Sequence, residues 1–104
     1  MGIPEVKMMR VRDLTPVHAS HMPEGAADRY ILGNEHLGGS PTENLAIVVT
    51  TFEPGTGSGK HSHNVEESFM ILRGYGTATI GGKTFPAEPD TIFYAPKDVK
   101  HEFT

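Results

Sequence analysis

Between Gly55 and Gly74 the chain reads GTGSGKHSHNVEESFMILRG, and His61, His63 and Glu67 within it share odd parity. In extended chain, residues two and four apart project to the same face. Two imidazoles and a carboxylate therefore converge on one volume if the segment stays roughly extended. A bend at Asn64-Val65 would adjust that convergence without undoing it. A further imidazole, His101, follows the turn Lys97–Lys100, where antiparallel pairing can bring it across to the others. Three imidazoles and one carboxylate make a mixed nitrogen and oxygen set suited to one divalent transition metal: Fe, Mn, Ni, Zn or Cu. On a six-coordinate ion such a set leaves positions for water, dioxygen or substrate, which separates a catalytic site from a closed structural one. Ligation needs neutral imidazole, so binding is expected to weaken in acid.

Six histidines among 104 residues is a high count, and the other three have plainer explanations. His18, His21 and His36 lie in polar loop segments and are expected to be solvated. Glu66 has the opposite strand parity from Glu67, and becomes a ligand only if the strand carries a bulge. Tyr94 or Tyr75 would serve as a proton donor near the metal, and Arg29 or Arg73 as the partner of a substrate carboxylate. For these four a structural or solvated role is the favoured reading. Phe69 and Ile71 share the parity of Glu67 and are expected to line the cavity, with Met70 and Leu72 packing on the other face. The run GTGSGKH is a poor phosphate loop, because Pro54 takes the first glycine position, His61 replaces Ser or Thr, and no helix follows.

The elements that must position these residues are short. Twelve Gly and eight Pro in 104 residues imply many turns and favour an all-β fold over helices. Buried strands are expected at Leu45–Phe52 and Glu66–Arg73, where β-branched and apolar residues run together. Thr77–Ile80 and Lys83–Phe85 flank Gly81-Gly82, the signature of a two-residue hairpin turn. Thr91–Ala95 and His101–Phe103 are further strands, Arg29–Leu32 a short one, and Glu5–Leu14 a loosely alternating first strand. The stretches Val17–Asp28 and Gly33–Asn44 read as loops. Residues 1–104 are expected to form one domain. The chain has no Cys, and the first residues include Glu5 and Lys7 rather than an apolar run. Neither export nor disulfides are expected, and a cytoplasmic location is the default. The longest apolar run, Leu45–Val49, is too short to span a membrane. A net charge of -4 with scattered basic residues argues against nucleic acid.

The spacing Gly-x5-His-x-His-x3-Glu-x6-Gly, filled by Gly55, His61, His63, Glu67 and Gly74, resembles the first motif of the cupin superfamily. The second motif, Gly-x5-Pro-x-Gly-x2-His-x3-Asn, is matched in part. Pro96 and His101 keep its spacing, Asp98 stands at the second Gly, and Pro89-Asp90 occupies the region of the first. The trailing Asn has no counterpart before Thr104. The resemblance spans Leu45–Phe103 and implies a jelly-roll-like β-barrel with His61, His63, Glu67 and His101 as metal ligands. Small cupins carry one or two strands beyond the second-motif His, so a barrel lacking them has an open edge. A longer chain, an N-terminal strand or a partner copy would cover it, and a homodimer is expected on that ground. The function implied is that of a metal-dependent enzyme on a small, oxygen-rich organic substrate, of dioxygenase, isomerase, decarboxylase or lyase type. The alternative is a non-catalytic module that binds a metal or small ligand.

Overall fold

Gly81 and Gly82 turn the chain sharply, both at positive φ (57° and 80°), the backbone that a two-residue hairpin demands and that glycine adopts without penalty. In the computed structural model, which describes residues 6–18 and 22–104, seven strands and no α-helix occur among the described residues. They are β1 (Ala26–Leu32), β2 (Ile47–Phe52), β3 (Glu67–Met70), β4 (Gly76–Ile80), β5 (Lys83–Ala87), β6 (Ile92–Ala95) and β7 (His101–Phe103). The architecture is all-β, as the turn density implies.

The described residues divide into two compact units. One comprises Pro23–Gly25 and Phe52–Thr104, the other Ala26–Thr51 with the described part of Met1–Met22. In the first, the Gly81-Gly82 hairpin pairs β4 with β5 antiparallel, Ile80 opposite Lys83 and Ala78 opposite Phe85. β7 adds to the other edge of β4, Ile80 opposite His101 and Ala78 opposite Phe103. β3 pairs antiparallel with β6, setting Glu67 opposite Ala95 and Phe69 opposite Phe93. Ala78, Ala87 and Phe93 are buried together, with Phe69, Ile71, Ile80 and Phe103 packed against them. Small alanines leave room for the phenyl rings, and Phe69 and Phe103 meet edge to face with centroids 4.8 Å apart.

The outer edge of β7 is occupied. His61 and His101 exchange backbone hydrogen bonds (3.0 and 2.8 Å), and Ser58 N–H donates to the Phe103 carbonyl at 2.9 Å. The Ser58 hydroxyl in turn accepts from Phe103 N–H. The open edge expected on the last strand is therefore absent, because residues 58–61 themselves lie along it. A dimer loses that ground. At Gly57 a Cβ would collide with the Phe103 carbonyl oxygen, so only glycine allows the approach.

In the other unit β1 and β2 form a two-stranded sheet. Asp28 accepts from the Thr50 hydroxyl at 2.6 Å and the Tyr30 hydroxyl at 3.1 Å. Burial first, then the Asp28 hydrogen bond and charge, push the Tyr30 phenol above its ordinary pKa. Three expectations are corrected in this unit. Residues 6–14 form no strand: a 3-10 turn occupies Val11–Asp13, because Asp13 and Leu14 N–H satisfy Arg10 and Val11 carbonyls locally; Glu5 lies outside the described residues. β1 starts at Ala26, inside the expected loop, and Val17 bridges to Asp28. The strand expected at Leu45–Phe52 forms but is not buried, with Leu45, Ile47 and Val48 all exposed. A two-stranded sheet has no second layer of its own to cover a β-branched face.

Candidate metal centre

Four side chains reach one point in the first unit by two routes. β7 delivers His101 from β4's edge, and the backbone bridge between His101 and His61 brings the second imidazole alongside. From His61 the chain runs on through His63, bends at Asn64-Val65 and enters β3 at Glu67. A bend is present there without undoing the convergence, and the ring centroids lie 5.0 Å (His61 to His63), 4.3 Å (His61 to His101) and 5.7 Å (His63 to His101) apart.

One ligand nitrogen from each of His61, His63 and His101 lies within 4.8 Å of the other two. The Glu67 carboxylate faces the same point, with Oε1 at 2.9 Å from His63 Nε2 and Oε2 at 3.6 Å from His101 Nε2. The second distance is too long for a hydrogen bond.

Backbone carbonyls orient two of the rings. His61 Nδ1–H donates to the Gly59 carbonyl at 2.9 Å, and His101 Nδ1–H to the Val99 carbonyl at 3.0 Å. With the proton on Nδ1, each Nε2 carries a lone pair, the arrangement that metal-ligating histidines adopt. His101 is 2% exposed, and its Nε2 has no hydrogen-bond partner. A buried polar atom without a partner is costly unless something else satisfies it, and this one points at two imidazoles and a carboxylate. Donor type, spacing and that orphaned nitrogen all fit a divalent transition metal.

The remaining candidates are dispersed. Tyr94 lies on β6 opposite Ser68, on the face away from Glu67, and its hydroxyl donates to Glu66 Oε2 at 2.6 Å. Glu66 is thereby engaged outside the cluster. Tyr75 is 85% exposed, and Arg73 is also at the surface. Arg29, in the other unit, donates its Nε to the Leu14 carbonyl at 3.1 Å. His36 is exposed as expected; His18, also exposed, has its Nδ1 2.6 Å from the Ala26 carbonyl, and His21 lies outside the described residues. Phe69 lies inward, its ring 5.2 Å from that of His101, while Met70 and Leu72 are exposed rather than packed.

Sequence reasoning named the ring-bearing residues and missed their supports. Gly59 and Val99 act through backbone carbonyls, which any residue supplies, so side-chain type carries no signal for them. Asp90 and Asp98 are both at positive φ, 66° and 64°. Asp90 precedes Pro96 by the interval that Gly-x5-Pro requires, so both glycine positions of the second motif carry aspartate in a glycine-like backbone.

A family model described as the cupin domain matches residues 48–104, more than half of the chain. Two Zea mays proteins, auxin-binding protein 5 and auxin-binding protein 4, are each 32% identical over 53 residues, 49% of this chain. The match spans 35% of the first and 26% of the second, so the chain covers about a third or less of these relatives. Among solved structures, KdgF from Halomonas sp. superposes with a TM-score of 0.77 at 15% identity, over 95% of this chain and 81% of that one. A protein from Thermotoga maritima described as a predicted oxalate decarboxylase gives 0.76 at 23% identity, over 93% and 85%. At such identities the likeness is one of fold alone.

Proposed function

The chain belongs to the cupin family and has its all-β jelly-roll fold, and from that premise we propose that it is a metal-dependent enzyme acting on a small, oxygen-rich organic molecule. His61, His63, Glu67 and His101 hold one divalent transition metal. The observation that carries this reading is the buried His101 Nε2, lone pair outward and without a partner, facing the other three ligands.

The bound ion supplies Lewis acidity, and redox chemistry where it is iron, manganese or copper. The chain contributes one negative charge from Glu67 against two positive charges, which leaves the centre cationic and selective for an anionic oxygen such as a carboxylate or enolate. The Gly59 and Val99 carbonyls fix the ring tautomers, so no reorientation is needed when substrate arrives. Phe69, beside His101, provides an apolar wall that strengthens charge interactions at the centre. Dioxygenation, isomerisation, decarboxylation and elimination all fall within this chemistry.

Binding without turnover is the second reading. It draws on the two maize relatives, which are named for binding auxin. A cytoplasmic location remains an expectation, while homodimerisation no longer has an open β7 edge to support it; no described helix is long and apolar enough to cross a membrane. The deciding experiment is the metal content of protein purified without added metal, followed by turnover assays of the loaded protein on small carboxylates. About one ion per chain with turnover supports the enzyme; one ion with ligand binding and no turnover supports the module. No retained metal, and none taken up on titration, removes both.

A further inference from the structure

We infer that Asp98 is a positioning residue for the metal centre, its left-handed turn gripping His63 and His101 at once through backbone hydrogen bonds. The inference rests on the reading of His61, His63, Glu67 and His101 as ligands. The turn Pro96–Val99 closes with Val99 N–H donating to the Pro96 carbonyl at 3.1 Å, and Asp98 is its third residue at φ 64°. That geometry aims Asp98 N–H at the His63 carbonyl, 2.8 Å away. The next carbonyl, of Val99, accepts His101 Nδ1–H at 3.0 Å.

The two ligands so joined are unequal. The His101 side chain is 2% exposed, and that of His63 is 43% exposed. His63 lies outside the strands, two residues beyond the paired His61 and just ahead of the Asn64-Val65 bend, and its own carbonyl is held by the Asp98 N–H. The Asp98 side chain is itself exposed, which assigns the role to its backbone. Glycine adopts positive φ freely, aspartate tolerates it, and a β-branched residue strongly resists it. Asp98→Gly should therefore preserve the grip and Asp98→Val release it.

Asp90 supplies an internal control. It has φ 66°, and its N–H donates to the Ile71 carbonyl at 3.1 Å, the same demand in the same unit with no ligand attached. Asp90→Val strains the fold as Asp98→Val does while leaving the centre alone.

The experiment is competitive Co²⁺ titration of the full chain and these three variants, with the visible absorption of bound cobalt and the melting temperature of metal-free protein recorded for each. Asp98→Gly should bind within about threefold of wild type with an unchanged spectrum, and Asp98→Val at least about tenfold more weakly with an altered one. Asp90→Val should lower the melting temperature and keep both affinity and spectrum. Where Asp98→Val does not fold, Asp98→Ala replaces it, with a loss between those of the Gly and Val variants. Wild-type affinity in the Val or Ala variant, or an equal loss in Asp90→Val, overturns the positioning role alone. Failure of wild type to bind cobalt overturns the ligand assignment and the inference with it.

Discussion

The hydroxyl of Tyr94 donates to Glu66 Oε2 at 2.6 Å on the face of the β3–β6 sheet opposite Glu67. The pair separates two adjacent glutamates by role: Glu67 faces the histidines, Glu66 holds a tyrosine at the surface. The hydrogen bond to Glu66, then partial burial and the Glu66 charge, raise the Tyr94 phenol above its ordinary pKa of 10.0. A raised phenol stabilises the folded state fully below its unfolded value, and that contribution disappears as pH climbs through the folded value. Tyrosine ring resonances followed through an alkaline titration should show Tyr94 ionising above 10, and Glu66→Gln should bring it back down. An identical curve in the variant would show that the pair does not form in solution.

Because the two glutamates differ in face, their neutral variants should differ in metal binding. Glu67→Gln removes the one anionic ligand and should weaken affinity by at least about tenfold, or roughly 1.4 kcal/mol. Glu66→Gln should leave affinity unchanged. Calorimetric titration of both separates them, and equal losses would point to a bulge at the start of β3 that brings Glu66 inward.

How much of this was legible in the sequence depended on range. His61, His63 and Glu67 lie within one short segment, so parity along an extended chain was enough to place them together, and the Gly81-Gly82 hairpin is a local backbone demand. The seating of residues 58–61 along β7 was not legible, because it joins positions some forty apart through backbone groups that carry no residue signature. The same holds for the orientation of Tyr94: its face follows from pairing with Ser68, and register across β3 and β6 is not written in either strand alone. Leu45–Phe52 misled in the opposite direction. Its β-branched run specifies a strand, but burial depends on what covers the strand, which propensity does not encode.

His101 and His63 should fail differently when truncated. His101 is buried with its ring 5.2 Å from that of Phe69, so His101→Ala removes a proposed ligand and also leaves a cavity and the Val99 carbonyl unpaired. The metal-free protein should lose about 2–4 kcal/mol on that account. His63→Ala, at a half-exposed position, should cost the metal-free protein under about 1 kcal/mol while still weakening metal binding about tenfold or more. Chemical denaturation with and without chelator measures both. In wild type, chelation should lower the melting temperature, since a ligand of the folded state stabilises it by mass action. Equal stability of the two metal-free variants would mean that His101 is less buried in solution than in the fold described here.

Gly57 tests whether the ligand segment depends on its seat along β7. A Cβ at this position would meet the Phe103 carbonyl oxygen and the Thr104 side chain, and the obstructing carbonyl belongs to backbone that is itself hydrogen-bonded to Ser58. Gly57→Ala must therefore push residues 57–61 away from β7 or bend β7 away from β4. The first stretches the bonds between Ser58 and Phe103 and between His61 and His101; the second loosens the pairing of Thr77 with Thr104. Either way the His61 ring moves relative to His101, now 4.3 Å away between centroids. The expected outcome is a stability loss of about 1–3 kcal/mol, as for other overpacked sites, together with a fall in metal affinity of about tenfold or more. Gly59→Ala is the comparison, since its Cβ would meet nothing within 4 Å although its φ of 72° disfavours a side chain. It should lose stability by about 1 kcal/mol from backbone conformation, with a smaller effect on affinity than Gly57→Ala. Amide hydrogen exchange at His61 and Phe103 reads the displacement directly: both should exchange faster in Gly57→Ala. Unchanged exchange at both amides would mean that the segment does not lie along β7, and the backbone route that brings His61 to His101 would then be wrong.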